Sequence, residues 1–171
     1  VNTGKMNWYF QYTANESWDY DEIGVHFLYD RTVGGETRKV VGHFARNGFF
    51  YQFDRTNGQF LWAKETAFQN VVKSIDPKTG AKTINEAAMP HIGKTTFNCP
   101  ADPGARGWPS TAYSPKTQML YLPMTEYCSN TTPTSCSRRR RSRCAPTRTS
   151  ARRARARSRT CCGAWRAWTW W

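Results

Sequence analysis

The sequence predicts an all-β fold, and three observations lead to that prediction. Short segments rich in aromatic and β-branched residues alternate with Gly, Asn, Asp and Thr, as strands and their turns do. The pair Asn57-Gly58 separates two such segments and is typical of a hairpin turn, because both residue types tolerate positive φ. No segment sustains an apolar period of 3.6 residues, so no helix is predicted.

The predicted strands follow one another closely along the chain. They are MNWYFQYT (6–13), VHFLYDRTV (25–33), RKVVGHFA (38–45), FFYQFD (49–54) and FLWAKE (60–65). The last two form a hairpin through the turn at 55–58. A further hairpin is predicted between 113–114 and 119–123, around the turn PKTQ.

A weak internal repeat adds to this prediction. TGKxxW, from Thr3 to Trp8, parallels NGQxxW, from Asn57 to Trp62, at a spacing of 54 residues. The segment DPKTG at 76–80 repeats the turn DRTNG at 54–58 but has no tryptophan after it. A turn-plus-Trp repeat with about four short strands between copies is typical of propeller blades. Two similar hairpins in another all-β domain would give the same pattern, so both alternatives remain open.

The net charge of +13 is concentrated at one end of the chain. Residues 1–134 contain 13 Lys and Arg and all 12 acidic residues, whereas 135–171 contain 12 Arg and no acidic residue. The first part is therefore a near-neutral globular segment. Its charge gives no reason to expect a nucleic-acid partner, and no apolar run approaches the length of a membrane span.

The tail, 135–171, uses eight residue types and ends WRAWTWW. It could be an arginine-rich arm that neutralises phosphates or a disordered, solvated tail. A third interpretation is that the tail is the product of a GC-rich gene read out of frame. We favour this interpretation because natural basic arms usually mix Lys with Arg. We therefore divide the chain into 1–134 and 135–171. Of six cysteines, only Cys99 and Cys128 lie in the first part, and they have no metal-type spacing.

The acidic stretch ESWDYDE at 16–22 is the strongest candidate for chemistry. If this stretch is extended, Asp19 and Asp21 share one face about 7 Å apart at Cα, and a bound hard cation would relieve their repulsion. A carboxylate near a substrate could also act as a general base. Downstream, Arg46 could hold a planar oxygen acceptor or a developing negative charge. The alternative for all three is a solvated surface turn.

Three stretches together resemble the quinoprotein alcohol dehydrogenases, which use pyrroloquinoline quinone (PQQ). They are TGKMNWYFQYTANESWDYD, ARNGFFYQFDRTNGQFLWA and GWPSTAYSPKTQMLYLP, and their order and separations also match. The resemblance covers 1–134 and implies about two blades of an eight-bladed β-propeller with four-stranded antiparallel blades. It also implies that the chain is an internal segment of a longer enzyme, and we expect it to be unstable, aggregation-prone and inactive alone.

The resemblance implies roles for four residues. Asp19 lies where the family has its catalytic base, which also contacts the metal ion. Asp21 lies where lanthanide-using members carry an extra aspartate, so a lanthanide is favoured over Ca²⁺. Arg46 and Trp108 lie where the family contacts PQQ. Family members often have Asn before that tryptophan; here it is Gly107, which removes a possible contact with PQQ.

The implied reaction is hydride transfer from a small alcohol to PQQ, with Ca²⁺ or a lanthanide as Lewis acid. The implied electron acceptor is a c-type cytochrome, and the implied location is the periplasm. A non-catalytic β-propeller interaction module and an arginine-tailed nucleic-acid binder are the alternative functions. The three histidines, His26, His43 and His91, have no ligand-like spacing and are predicted to be ordinary strand or loop residues.

Overall fold

The computed structural model describes residues 3–117, 119–134 and 165–168. Its main element is a four-stranded antiparallel sheet in the order β1-β2-β3-β4. The strands are β1 (His26–Val33), β2 (Glu36–Phe44), β3 (Phe49–Asp54) and β4 (Phe60–Glu65). A sheet of four sequential strands is one propeller blade, so the predicted all-β class and the four-stranded antiparallel blade are confirmed. No α-helix occurs among the described residues.

Turn chemistry explains the two outer hairpins of this sheet. Gly34 and Gly35 have φ of 62° and 85° and connect Val33 to its partner Glu36, which gives a two-residue hairpin that requires positive φ at both positions. The β3–β4 turn contains the predicted Asn57-Gly58 pair, with Gly58 at φ 80°. The predicted hairpin through 55–58 is therefore confirmed.

The repeated turns DRTNG and DPKTG share a backbone hydrogen bond and an aspartate that accepts from a threonine, although that threonine is the third residue of the first turn and the fourth of the second. In the first, Gly58 N–H donates to Asp54 O, and the Asp54 carboxylate accepts from the Thr56 backbone and hydroxyl. In the second, Gly80 N–H donates to Asp76 O, and the Asp76 carboxylate accepts from the backbone and hydroxyl of Thr79. In both cases these hydrogen bonds hold the pKa of the aspartate below its ordinary value. The sequence repeat therefore corresponds to a structural repeat.

The predicted strand at 6–13 is wrong. This segment has no strand assignment, and three of its four aromatic side chains, Trp8, Phe10 and Tyr12, instead pack on one face of the sheet. The ring of Phe10 lies 4.4 Å from that of Phe53, and Trp8 Nε1 donates to Arg55 O at 3.3 Å. A Cβ at Gly58 would lie 2.6 Å from the Trp8 ring, so glycine is required where the tryptophan docks. The aromatic residues that suggested a strand are used for packing.

The core lies on both faces of the sheet. Phe53 and its neighbours face the 8–12 segment on one side of the sheet. On the other side, Phe44 and Phe50 pack with Leu120 and Leu122 of the hairpin that ends with 119–123. The second half of β2 and nearly all of β3 are buried, as expected for central strands covered on both faces. This two-sided burial fits a blade between neighbouring blades.

The remaining strands form smaller antiparallel sheets. They are β5 (Val72–Ile75) with β6 (Lys82–Ile84), β7 (Thr96–Asn98) with β10 (Ser129–Thr131), and β8 (Ala112–Ser114) with β9 (Met119–Pro123), whose other neighbour is β11 (Trp165–Trp168). A 3₁₀ turn at Glu86–Ala88 precedes β7. The β8–β9 hairpin confirms the second predicted hairpin. Apart from the β11 backbone, the predicted tail, 135–171, lies outside the described residues.

Candidate active site

Asp19 lies in the loop before β1, with its side chain exposed. Its φ is 68°, in the left-handed region, so the extended conformation considered for this stretch is wrong at this residue. The backbone turns because the N–H groups of Trp18 and Tyr20 both point to one carboxylate oxygen of Glu16. Sharing of one strand face by Asp19 and Asp21 therefore does not follow from β alternation.

Asp21 is exposed and contacts Arg46 through its backbone. Arg46 Nη1 donates to Asp21 O at 3.2 Å. The two residues are distant in sequence, because Arg46 lies in the turn between β2 and β3. The structure thus brings Arg46 to the Asp19–Asp21 loop. Within the described residues, neither aspartate carboxylate has a hydrogen-bond partner among the side chains or backbone groups that surround it.

The Arg46 guanidinium is held by three backbone carbonyls. Besides Asp21 O, Nε donates to Pro103 O at 3.1 Å and Nη2 donates to Asp102 O at 3.1 Å. A guanidinium has five N–H donors, so two remain for a further acceptor. The fixed carbonyls orient the group before any ligand binds, which is the arrangement that an anionic or quinone oxygen would need.

Sequence reasoning missed Glu22, which lies behind this arginine. Its carboxylate accepts from the Arg46 backbone N–H at 3.1 and 3.3 Å and lies 2.8 Å from Nε2 of the fully buried His43. The rings of His43 and His26 stack at 4.1 Å across β1 and β2. His43 is therefore part of the support of the site rather than an ordinary strand residue. No sequence spacing signals this, because the pairing of β1 with β2 creates it.

Arg106 is a second residue that sequence reasoning missed. It is only 2% exposed, and its Nη2 donates to Thr111 Oγ1 at 2.8 Å. Burial lowers its pKa, and the charge of Glu22 opposes that shift. A Cβ at Gly24 would lie 1.4 Å from Arg106 Nη1, so a glycine is needed where this arginine crosses the loop. Glu22 thus binds the Arg46 backbone and acts electrostatically on Arg106.

A disulfide fixes the loop that surrounds Arg46. Cys99 and Cys128 are bonded, with Cα atoms 4.5 Å apart. Their spacing in the sequence excludes only a metal-type arrangement. Ala105 N–H donates to Arg46 O at 2.8 Å, and a Cβ at Gly104 would lie 2.6 Å from Arg46 Cβ. The carbonyls of residues 102 and 103 therefore reach the guanidinium on a loop that is closed covalently.

Trp108 is not brought to Arg46 by any contact among the described residues, and it is 80% exposed. A Cβ at Gly107 would meet only Pro109 Cδ, at 3.8 Å, so the space beside this glycine is open. The described part of the chain contains no group of three or more His, Cys, Asp or Glu residues that could hold a metal ion.

Known proteins are similar to this chain in sequence and in structure. Residues 1–72 match the family model described as PQQ: glucose/ethanol/alcohol dehydrogenase, beta-propeller domain. The chain is 38% identical over 122 residues to the quinone alcohol dehydrogenase, dehydrogenase subunit, of Acetobacter aceti, covering 71% of this chain and 16% of that protein. The chain belongs to the quinoprotein alcohol dehydrogenase family.

Other relatives are named as a quinohemoprotein, a lanthanide-dependent enzyme and a europium-containing enzyme. The lanthanide-dependent methanol dehydrogenase of Methylacidiphilum fumariolicum (strain SolV) is 35% identical over 130 residues, covering 75% of this chain and 21% of that protein. The quinohemoprotein alcohol dehydrogenase structure from Comamonas testosteroni has a TM-score of 0.69 at 35% identity, covering 75% of this chain and 19% of that one. A europium-containing methanol dehydrogenase has a TM-score of 0.64 at 33% identity, covering 67% and 20%.

This quinoprotein segment spans about a sixth to a fifth of the length of those relatives. Its described residues include no helix that is long and apolar enough to cross a membrane.

Proposed function

We propose that the complete protein containing this chain oxidises a small alcohol by hydride transfer to PQQ, and that Asp19, Asp21 and Arg46 form part of its active site. The observation that carries the proposal is the Arg46 guanidinium, which is fixed beside Asp21 by three carbonyls and keeps two N–H donors for an oxygen acceptor. Relatives that share this segment at 35–38% identity are quinone and lanthanide-dependent dehydrogenases.

The residues present fit such a cofactor and ion. When bound, PQQ accepts the hydride and the metal ion acts as Lewis acid. Asp19 and Asp21 offer exposed carboxylate oxygens, which are the ligands that hard cations prefer. Arg46 donates its remaining N–H groups to an oxygen that gains negative charge. Trp108 offers an exposed aromatic face for contact with a planar ring.

Asp19 is proposed as the general base. Its exposed carboxylate accepts the proton of the alcohol hydroxyl. The Arg46 guanidinium donates to three backbone carbonyls, which hold it in place beside Asp21. The base, Asp19, and the cation, Arg46, thus come from two loops that are linked by the hydrogen bond from Arg46 to Asp21 O.

Two negative ligands on one loop favour a trivalent lanthanide over Ca²⁺. Asp21 adds a second negative charge to that of Asp19, and the electrostatic attraction of this charge is greater for a trivalent ion than for a divalent one. Replacement of Asp21 by alanine should therefore weaken lanthanum-supported turnover more than calcium-supported turnover. Equal losses with both ions would contradict the metal assignment and leave the dehydrogenase proposal in place.

The periplasm is the proposed location and a c-type cytochrome is the proposed electron acceptor. The Cys99–Cys128 disulfide supports an oxidising compartment, and the quinohemoprotein relatives support transfer to haem. A small alcohol is the proposed substrate, and no nucleic-acid partner is proposed, because the first 134 residues are nearly neutral.

The test uses the complete protein reconstituted with PQQ and either CaCl₂ or LaCl₃. Alcohol-dependent reduction of a dye is compared between the natural protein and Asp19→Ala, with Asp30→Ala as control. Asp30 is an exposed aspartate that pairs with Arg55 at 3.1 Å, away from the Arg46 loop. We expect Asp19→Ala to lose at least about 100-fold in kcat and Asp30→Ala to keep it. A non-catalytic propeller module would show no alcohol-dependent turnover in any of them.

A further inference from the structure

The loop that carries Asp19 is closed by a single side chain. One oxygen of Glu16, Oε1, accepts the Trp18 N–H at 2.5 Å and the Tyr20 N–H at 3.0 Å. These two peptide groups lie on either side of Asp19, whose φ is 68°. Backbone N–H groups that converge on one anion around a left-handed residue form an anion-binding nest, here filled by the chain's own carboxylate.

The side chains on either side of Asp19 are anchored in the core. Trp18 and Tyr20 are 5% and 2% exposed. Trp18 Nε1 donates to Ala88 O at 2.9 Å, and the Tyr20 hydroxyl donates to Pro100 O. These anchors fix where the loop enters and leaves the surface, but they leave the peptide rotation at Asp19 open.

Glu16 sets that rotation. Residues other than glycine rarely adopt a left-handed φ, although aspartate tolerates it better than most. Two charge-assisted hydrogen bonds, each stronger than a neutral one, favour the turned backbone over the extended one. With Trp18 and Tyr20 directed into the core, the Asp19 side chain is exposed to solvent, and Asp21, two residues further on, contacts Arg46 through its carbonyl.

We propose that Glu16 is a positioning residue, which holds Asp19 in its left-handed conformation so that the carboxylate meets the alcohol and the metal ion in the correct orientation. This inference rests on the proposed role of Asp19. A group that is preorganised for reaction loses rate when it is misplaced by as little as 1 Å, by up to about 100-fold. A loop cap with only a structural role would change the melting temperature and leave the rate per folded molecule unchanged.

The experiment compares Glu16→Gln and Glu16→Ala in the complete protein loaded with PQQ and a lanthanide. Gln keeps an oxygen acceptor but loses the charge, whereas Ala removes the clamp. Glu36→Ala is the matched control, since Glu36 is an exposed glutamate in the β1–β2 hairpin with a side chain that is 79% exposed. Three quantities are measured: kcat and KM, the affinity for Tb³⁺ from its luminescence, and the melting temperature.

We expect kcat to fall about 3- to 10-fold in Glu16→Gln and about 30- to 100-fold in Glu16→Ala, with KM within about 2-fold. Affinity for Tb³⁺ should fall about 10-fold in Glu16→Ala, because Asp19 is a proposed ligand, and Glu36→Ala should match the natural protein. If Glu16→Ala does not fold, Glu16→Gln decides, and a natural kcat in that variant overturns the inference.

Asp19→Ala separates failure of this inference from failure of the proposed function. If Asp19→Ala abolishes turnover while both Glu16 variants keep it, the dehydrogenase function stands and the positioning role is wrong. If Asp19→Ala itself keeps turnover, the role proposed for Asp19 is wrong, and the positioning role of Glu16 falls with it. If the natural protein shows no alcohol-dependent turnover, the proposed dehydrogenase function fails.

Discussion

The Cys99–Cys128 disulfide should control the local stability of the loop that surrounds Arg46. The perturbation is Cys99→Ala with Cys128→Ala, which removes the covalent closure and leaves the hydrogen bonds of the loop in place. The two cysteines are 29 residues apart. Between them lie the carbonyls of Asp102 and Pro103, which accept from Arg46 at 3.1 Å each. Opening this loop would therefore release Arg46.

The magnitude follows from the length of the closed loop. Closing a loop of this length removes about 12 cal/mol/K of chain entropy from the open state, which is about 3.6 kcal/mol at 25 °C. If the whole of this free energy stabilises the closed loop, its loss makes opening about 400-fold more frequent. Native-state strain reduces that figure, so 400-fold is the upper limit of the expected change.

Amide hydrogen exchange in the complete protein measures this opening directly. The reporters are Ala105 N–H and Thr125 N–H, which donate to Arg46 O and Ala105 O at 2.8 Å each. Their exchange should accelerate between about 10- and 400-fold in the double variant. Amides of Val41 and Phe53, paired across β2 and β3, are the control and should not change. Unchanged exchange at Ala105 would refute the argument, and equal acceleration at the control amides would show a global effect.

Three further changes test the packing and charges. Gly58→Ala should lower the free energy of unfolding by about 2 to 3 kcal/mol in urea titration, because the new Cβ meets both a left-handed φ and the Trp8 ring. Gly34 also has a left-handed φ but nothing within 4 Å of a Cβ, so Gly34→Ala should cost about 1 kcal/mol. Equal costs for the two variants would contradict the docking of Trp8 against Gly58. Glu22→Ala should cost about 2 kcal/mol, since the Arg46 backbone N–H and the buried His43 ring lose their partner, and Glu22→Gln, which keeps an oxygen acceptor, should cost less. The reverse order in thermal unfolding would be inconsistent with this role as acceptor. Desolvation, with nearby positive groups, lowers the pKa of His26 to about 4. The free energy of unfolding should therefore be highest above pH 6.5 and fall as the pH drops from about 6.5 to 4. His26→Asn should flatten this pH dependence, and an unchanged pH dependence in that variant would exclude His26 as its source.

Local sequence signals were sufficient for most of the blade. The sequence predicts β3 and β4 with their observed bounds, from the turn pair Asn57-Gly58 and the strand-like composition of 49–54 and 60–65. This prediction is possible because turn chemistry and strand composition act locally. Segment 6–13 has the same composition but packs without a ladder partner among the described residues. Composition reports that aromatic residues are buried, and it does not report whether backbone pairing accompanies the burial.

In the candidate site, too, local motifs could be predicted from the sequence and the contacts made by folding could not. Asp19, Asp21 and Arg46 were recognisable from their motifs, but the left-handed turn at Asp19 depends on two amides that meet one carboxylate. Glu22 was an unremarked member of an acidic run, because its contact with Arg46 arises from folding across 24 residues. Long-range hydrogen bonds of this kind have no sequence period, so sequence patterns cannot reveal them.

The central claim is that the Asp19–Asp21 loop and Arg46 meet the metal ion and the quinone. The most direct measurement is a structure of the complete protein with PQQ and La³⁺, with the ion located by its anomalous scattering. The account predicts La³⁺ within about 2.7 Å of carboxylate oxygens of both Asp19 and Asp21, and a quinone oxygen within about 3.2 Å of an Arg46 guanidinium nitrogen. An ion bound away from both aspartates, or a quinone with no contact to Arg46, would contradict it.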